Sequence, residues 1–113
     1  MSIDMPPSRR AGLRTYDVFD EGPWRIVTAV RDARSQAAGE IRYEFRVYRG
    51  DELRSRVILD FHPDIGPRGS YFLEEIQGDS HRTLERFDRD PGYPATKARV
   101  LLWLRHLVPD QPG

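Results

Sequence analysis

The chain contains no cysteine, which removes disulfides, thiolate metal centres and thiol nucleophiles together and points to a reducing, cytoplasmic setting. It has no apolar run approaching the roughly 18 to 20 residues that span a bilayer, so no membrane contact is expected. Met1 to Gly12 carries Arg9 and Arg10 without a hydrophobic region behind them. That segment reads as a disordered N-terminal arm rather than a secretory signal. Net charge is missing as well, because 18 basic residues balance 18 acidic ones, and bulk electrostatics give the chain no reason to hold nucleic acid. Lysine is nearly absent: Lys97 is the only one, and arginine supplies the rest of the positive charge.

What is present is enough for one domain. The full length is 113 residues, a size that closes a single core without staples but leaves little room for a deep internal active site. The domain is expected over 13–108, with a short tail over 109–113.

The clearest pattern lies between Glu40 and Phe61. Ile41, Tyr43, Phe45 and Val47 alternate with Arg42, Glu44, Arg46 and Tyr48. After Gly50 and Asp51, Leu53, Val57, Leu59 and Phe61 alternate with Arg54, Arg56 and Asp60. Period-two alternation marks half-buried strands, and two such runs around a glycine make a β-hairpin. A two-residue turn at Gly50-Asp51 would pair odd positions with even ones and spoil both faces. A three-residue loop of Tyr48, Arg49 and Gly50 with a bulge is therefore expected. It sets Phe45 opposite Leu53, Tyr43 opposite Ser55 and Ile41 opposite Val57, with Arg46 opposite Glu52, Glu44 opposite Arg54 and Arg42 opposite Arg56. The same reading absorbs Arg49-Gly50-Asp51, a cell-adhesion tripeptide by sequence, as hairpin chemistry.

On either side of this hairpin, Thr15 to Phe19 and Trp24 to Arg31 read as strands about a turn at Asp20 to Pro23. Asp32 to Gly39 reads as a loop. The two prolines and two glycines between His62 and Gly69 impose another. Tyr71 to Ile76 is extended, and after the Gly78-Asp79-Ser80 turn His81 to Phe87 fits either a short helix capped by Asp79 or Ser80 or a return strand, of which the strand is preferred. Pro94 suits the first turn of a helix, which then runs to Val108 without a breaker. Its apolar stripe is wider than surface helices show, so something must cover it on more than one side. Arg105 and His106 are expected in its last turn, where positive charge meets the negative helix end. The architecture expected is α+β: an antiparallel meander of four to six strands with the C-terminal helix on its apolar face.

Candidate chemistry is sparse. Asp60, His62 and Asp64 alternate as metal ligands would on one strand face, and His81 or His106 could complete a two-histidine, one-carboxylate set. Pro63 ends the strand before Asp64, however, so no metal is expected. Glu74 and Glu75 point to opposite faces and do not converge on each other. Gly66 to Gly69 with Arg68 lacks the strand-to-helix context of a phosphate loop and reads as a turn. No catalytic set converges and no cofactor is implied, which points away from an enzyme. The expected role is a small accessory protein that binds another protein or a second copy of itself through the helix and Trp103. The alternative is a single-stranded nucleic-acid module that uses Arg42, Arg46, Tyr48, Arg54 and Arg56 on the outer sheet face for phosphate contact and stacking.

Overall fold

The computed structural model describes residues 12–31 and 40–106. The expected arm before Gly12, the loop over 32–39 and the tail after residue 106 lie outside the described residues. Six strands follow in chain order: β1 (Leu13–Glu21), β2 (Trp24–Arg31), β3 (Ile41–Arg49), β4 (Glu52–His62), β5 (Ser70–Gln77) and β6 (Ser80–Phe87), then one helix, α1 (Tyr93–Leu104). They form one antiparallel sheet in the order β1-β2-β3-β4-β5-β6. The expected α+β meander with a C-terminal helix is what the chain forms, and 81–87 belongs to a strand.

Three of the five hairpins, β1-β2, β3-β4 and β5-β6, close on two residues, Gly22-Pro23, Gly50-Asp51 and Gly78-Asp79. In every case the glycine takes the first central position, with φ of 58°, 60° and 57°. A positive φ at that position is what a type II′ hairpin turn demands, and glycine meets it without a Cβ clash.

The register of the central hairpin corrects the expectation. Arg49 pairs with Glu52 and Tyr48 with Leu53 around the two-residue turn, and then the register shifts so that Val47 meets Ser55. Arg54 is the extra residue of that bulge. Beyond it Phe45 faces Val57, Tyr43 faces Leu59, Arg46 faces Arg56 and Glu44 faces Ile58; a second shift at Arg42 brings Ile41 to Asp60. The shorter turn would have crossed odd with even positions, and the bulge restores odd to odd by one inserted residue. Leu53, on the turn side of the bulge, is accordingly exposed, whereas Phe45, Val47, Val57, Leu59 and Phe61 are buried.

That buried row, with Trp24 and Ile26 from β2 and Tyr71 and Leu73 from β5, is the face on which α1 lies. Thr96, Val100 and Leu104, one per turn, are the helix's buried residues. The wide apolar stripe is explained by the sheet's own side chains: Tyr93, Leu101 and Trp103 also pack against the core, and Lys97 lies 4.1 Å above the Phe19 ring. Leu102 alone among the helix's large apolar residues is exposed, at 50%. The helix ends earlier than expected. Arg105 is its C-cap, and Arg105 and His106 donate their backbone N–H groups to Leu102 and Trp103 in a tightened final turn.

Tyr93 fastens the helix start. Its ring stacks on Phe45 at 5.7 Å and meets Tyr16 and Tyr43 edge-on. Its hydroxyl donates to Thr28 Oγ1, which donates to the carbonyl of Asp17. Asp90, just before the helix, accepts from the Tyr43 hydroxyl and from the Gly92 N–H. Burial, followed by the Asp90 carboxylate, pushes the Tyr43 hydroxyl up to about 12.

Two predictions follow from these contacts. A raised phenol pKa means that the folded state favours the neutral form, so the stabilisation is whole below pH 10.0 and is lost as the pH rises towards about 12. Tyr43→Phe should lose less stability than the wild type across that window, as read by urea unfolding at each pH. Gly69, at φ 81°, would place an alanine Cβ 2.6 Å from the Phe61 ring, whereas Gly78 has open space around it. Gly69→Ala should therefore cost more than Gly78→Ala, which carries only the left-handed penalty of roughly 1–2 kcal/mol; denaturant midpoints give the comparison.

Candidate functional site

The residues singled out from sequence do not meet on one surface. Arg46 and Arg56 do converge, because the β3-β4 register sets them side by side. Between them stands Glu44, 1% exposed: Arg46 Nε lies 3.3 Å from Oε1, and Arg56 Nη2 lies 2.7 Å from Oε2. Two guanidinium groups on one buried carboxylate form a charge-assisted network whose anion is fully used. Arg54 pairs with Glu52 at 3.1 Å beside the turn. Arg42 turns instead towards Asp90, 3.6 Å away. Tyr48 is half-buried in the ladder between β2 and β4. Trp103 lies on the helix side, partly buried against the core.

The face of the sheet opposite the helix is thus not an open polar surface. Ile58 is buried in its middle, with Ala29, Glu44, Asp60 and Glu74 around it. Arg31 Nε donates to the Ile41 carbonyl at 2.7 Å and lies 3.5 Å from Glu40. Positive and negative groups are interleaved there, with the carboxylates buried.

The densest polar set on this face joins three strands. Asp60 and His62 are two apart on β4 and so share the face. The β4-β5 register pairs Ile58 with Glu74 and Asp60 with Phe72, which brings Glu74 beside them. His62 Nε2 lies 3.3 Å from Asp60 Oδ2 and 3.4 Å from Glu74 Oε2. His81 of β6 reaches the other Glu74 oxygen, Oε1, through its Nε2. The carboxylates form the floor, at 4% and 7% side-chain exposure, and the imidazoles form the rim, at 34% and 52%. The Phe72 ring stands 4.6 Å from the His62 ring and walls one side. An imidazole nitrogen between two carboxylate oxygens is a place for a positive centre, either a proton or a cation.

Three of these four residues, Asp60, His62 and His81, stand among the candidates that spacing alone offers. The alternation of Asp60 and His62 was visible, but Asp64 falls in the loop after β4 and is exposed. The carboxylate that joins them is Glu74. Its parity relative to Glu75 was clear; its neighbours depended on a strand register that no local pattern in β5 announces.

The two edges of the sheet differ. β6 exposes Ser80, His81, Arg82, Thr83 and Arg86, the polar dress that discourages pairing. β1 exposes Tyr16 at 56% and Val18 at 51% in its middle, next to a register shift between Thr15 and Asp17.

The Glu44 network makes a sharp mutational contrast. Glu44→Ala leaves two arginines facing each other without their buried counter-ion and should cost about 3 kcal/mol. Glu52→Ala removes an exposed partner and should stay within roughly 0.5 kcal/mol of wild type. Thermal or urea unfolding of the two variants measures both.

Comparison with protein-family models, with curated proteins and with solved structures finds no match to this chain.

Proposed function

We propose that this protein is a non-enzymatic binding module that associates with another polypeptide by strand addition along β1, the first partner being a second copy of the chain. The observation that carries this reading is the asymmetry of the sheet edges. β1 ends the sheet and exposes two large apolar side chains, Tyr16 and Val18, where β6 exposes only polar ones. Strand addition takes its affinity from main-chain hydrogen bonds along such an edge and its selectivity from alternate side chains. Tyr16 is also in edge contact with Tyr93, so a strand laid along β1 meets the helix start as well as the sheet.

Two further observations support a polypeptide partner over a nucleic acid. Arg42, Arg46, Arg54 and Arg56 each stand beside a carboxylate, so phosphate contact would have to displace an existing ion pair. Trp103 is partly buried in the core cluster, which moves the expected contact from the helix to the adjoining edge strand.

Sedimentation velocity across concentration tests the reading. A monomer–dimer equilibrium is expected, and Val18→Lys should shift it towards monomer while leaving the unfolding midpoint of the monomer in place. A single monomeric species at high micromolar concentration overturns self-association. As the nucleic-acid control, replacing Arg42, Arg46 and Arg56 together by serine should leave any weak retention of single-stranded DNA or RNA unchanged; a clear loss would favour the arginine face instead.

A further inference from the structure

We propose that Asp60, His62 and Glu74, with His81 positioning Glu74, form a binding site for a divalent transition-metal ion of the zinc type, independently of any association along β1. The donor set is the first reason. An imidazole set between two carboxylates suits zinc and its neighbours, whereas magnesium and calcium prefer all-oxygen surroundings.

Geometry is the second reason. One donor atom from each of Asp60, His62 and Glu74 can be chosen so that all lie within 4.8 Å of one another. The edge of a tetrahedron is about 1.63 times its centre-to-corner length, so zinc bonds of about 2.0–2.1 Å place neighbouring ligands about 3.3–3.4 Å apart. The two separations from His62 Nε2 are 3.3 and 3.4 Å. Octahedral bonds of about 2.0–2.1 Å, as for magnesium, would bring adjacent ligands to about 2.9 Å.

The third reason is His62 itself. Its Nε2 atom is buried and makes no hydrogen bond of acceptable geometry, although two carboxylates stand close to it. A protonated imidazole would aim its N–H at one oxygen. A nitrogen placed off-line between two oxygens is instead poised, together with them, towards a common centre. The carboxylate floor is buried and the imidazole rim is partly exposed, which gives an ion a route in from solvent and a dry base to rest on. His81 engages the Glu74 oxygen that faces away from His62, so it orients Glu74 and leaves the other carboxylate oxygen to the ion. An ion held in this way would tie β6, the outer strand of the last hairpin, to β4 at the centre of the sheet.

The test uses the full chain after dialysis against a chelator and then metal-free buffer. Zinc titrated calorimetrically should bind with one ion per chain, and magnesium should bind at least about a hundredfold more weakly. Cobalt(II) added alone should give the intense visible absorption of tetrahedral coordination, and zinc should displace it. His62→Ala and Glu74→Gln should each weaken zinc at least about tenfold, while His106→Ala, beyond the helix, should leave it unchanged. Should His62→Ala fail to fold, His81→Ala, at a side chain more than half exposed, gives the same reading. Absence of saturable zinc uptake, or uptake that the His62, Glu74 and His81 substitutions leave untouched, would overturn the proposal.

Discussion

Two sheet faces of opposite chemistry can be kept apart only if neighbouring strands meet in matched parity, and along the buried centre of β3 and β4 that depends on one residue inserted beside the turn. The Gly50-Asp51 turn is too short by one for the apolar positions of β3 and β4 to align. Arg54 supplies the missing unit, and from there to His62 every second side chain of β4 belongs to the helix-bearing core. The cost is local: Leu53 is left on the surface. The return is the whole of both faces, since a one-residue slip would turn Phe45, Val57 and Leu59 towards the ionic side and Glu44 towards the helix.

The ionic side is organised by carboxylates that are better buried than their partners. Glu44 is almost sealed while Arg46 and Arg56 reach it from the periphery with part of their length exposed. Asp60 and Glu74 lie equally deep beneath His62 and His81. Glu75, on the core side near the end of β5, is likewise buried and held by Arg82 at 2.7 Å. Short acidic side chains set into the sheet, with longer basic ones arching over them, let the cations keep solvent contact along their stems. A net charge of zero therefore does not mean a featureless surface: buried acids and the arginines over them settle part of the charge within the sheet itself.

The architecture was largely legible because alternation in β3 and β4 and the unbroken run after Pro94 are strong local signals. Turn length was not, because parity alone cannot distinguish a long loop from a short turn followed by a bulge, and both readings put Phe45 inward. The helix is more apolar than one flat face would cover, and Tyr16, Tyr43 and Phe45 rising around Tyr93 supply the additional wall. The His62 cluster was visible except for Glu74, for a related reason. Two ligands on one strand leave a trace in spacing, whereas the contribution of Glu74 exists only once β4 and β5 are laid side by side.

The strand order carries a kinetic corollary. Every strand pairs only with its neighbours in the chain, and glycine turns of equal build close three of the five hairpins, so ladder formation requires little long loop closure and can proceed quickly from local contacts. The helix is different: Tyr93 must find Phe45 and Thr28 across most of the chain. During synthesis all six strands leave the ribosome before α1 does, and until it docks, the row from Trp24 to Leu73 faces water with its backbone already paired. The late arrival of one short segment is thus the step that turns a sticky ribbon into a finished domain, and the interval before it is when such a chain is most vulnerable to coalescing with its own kind.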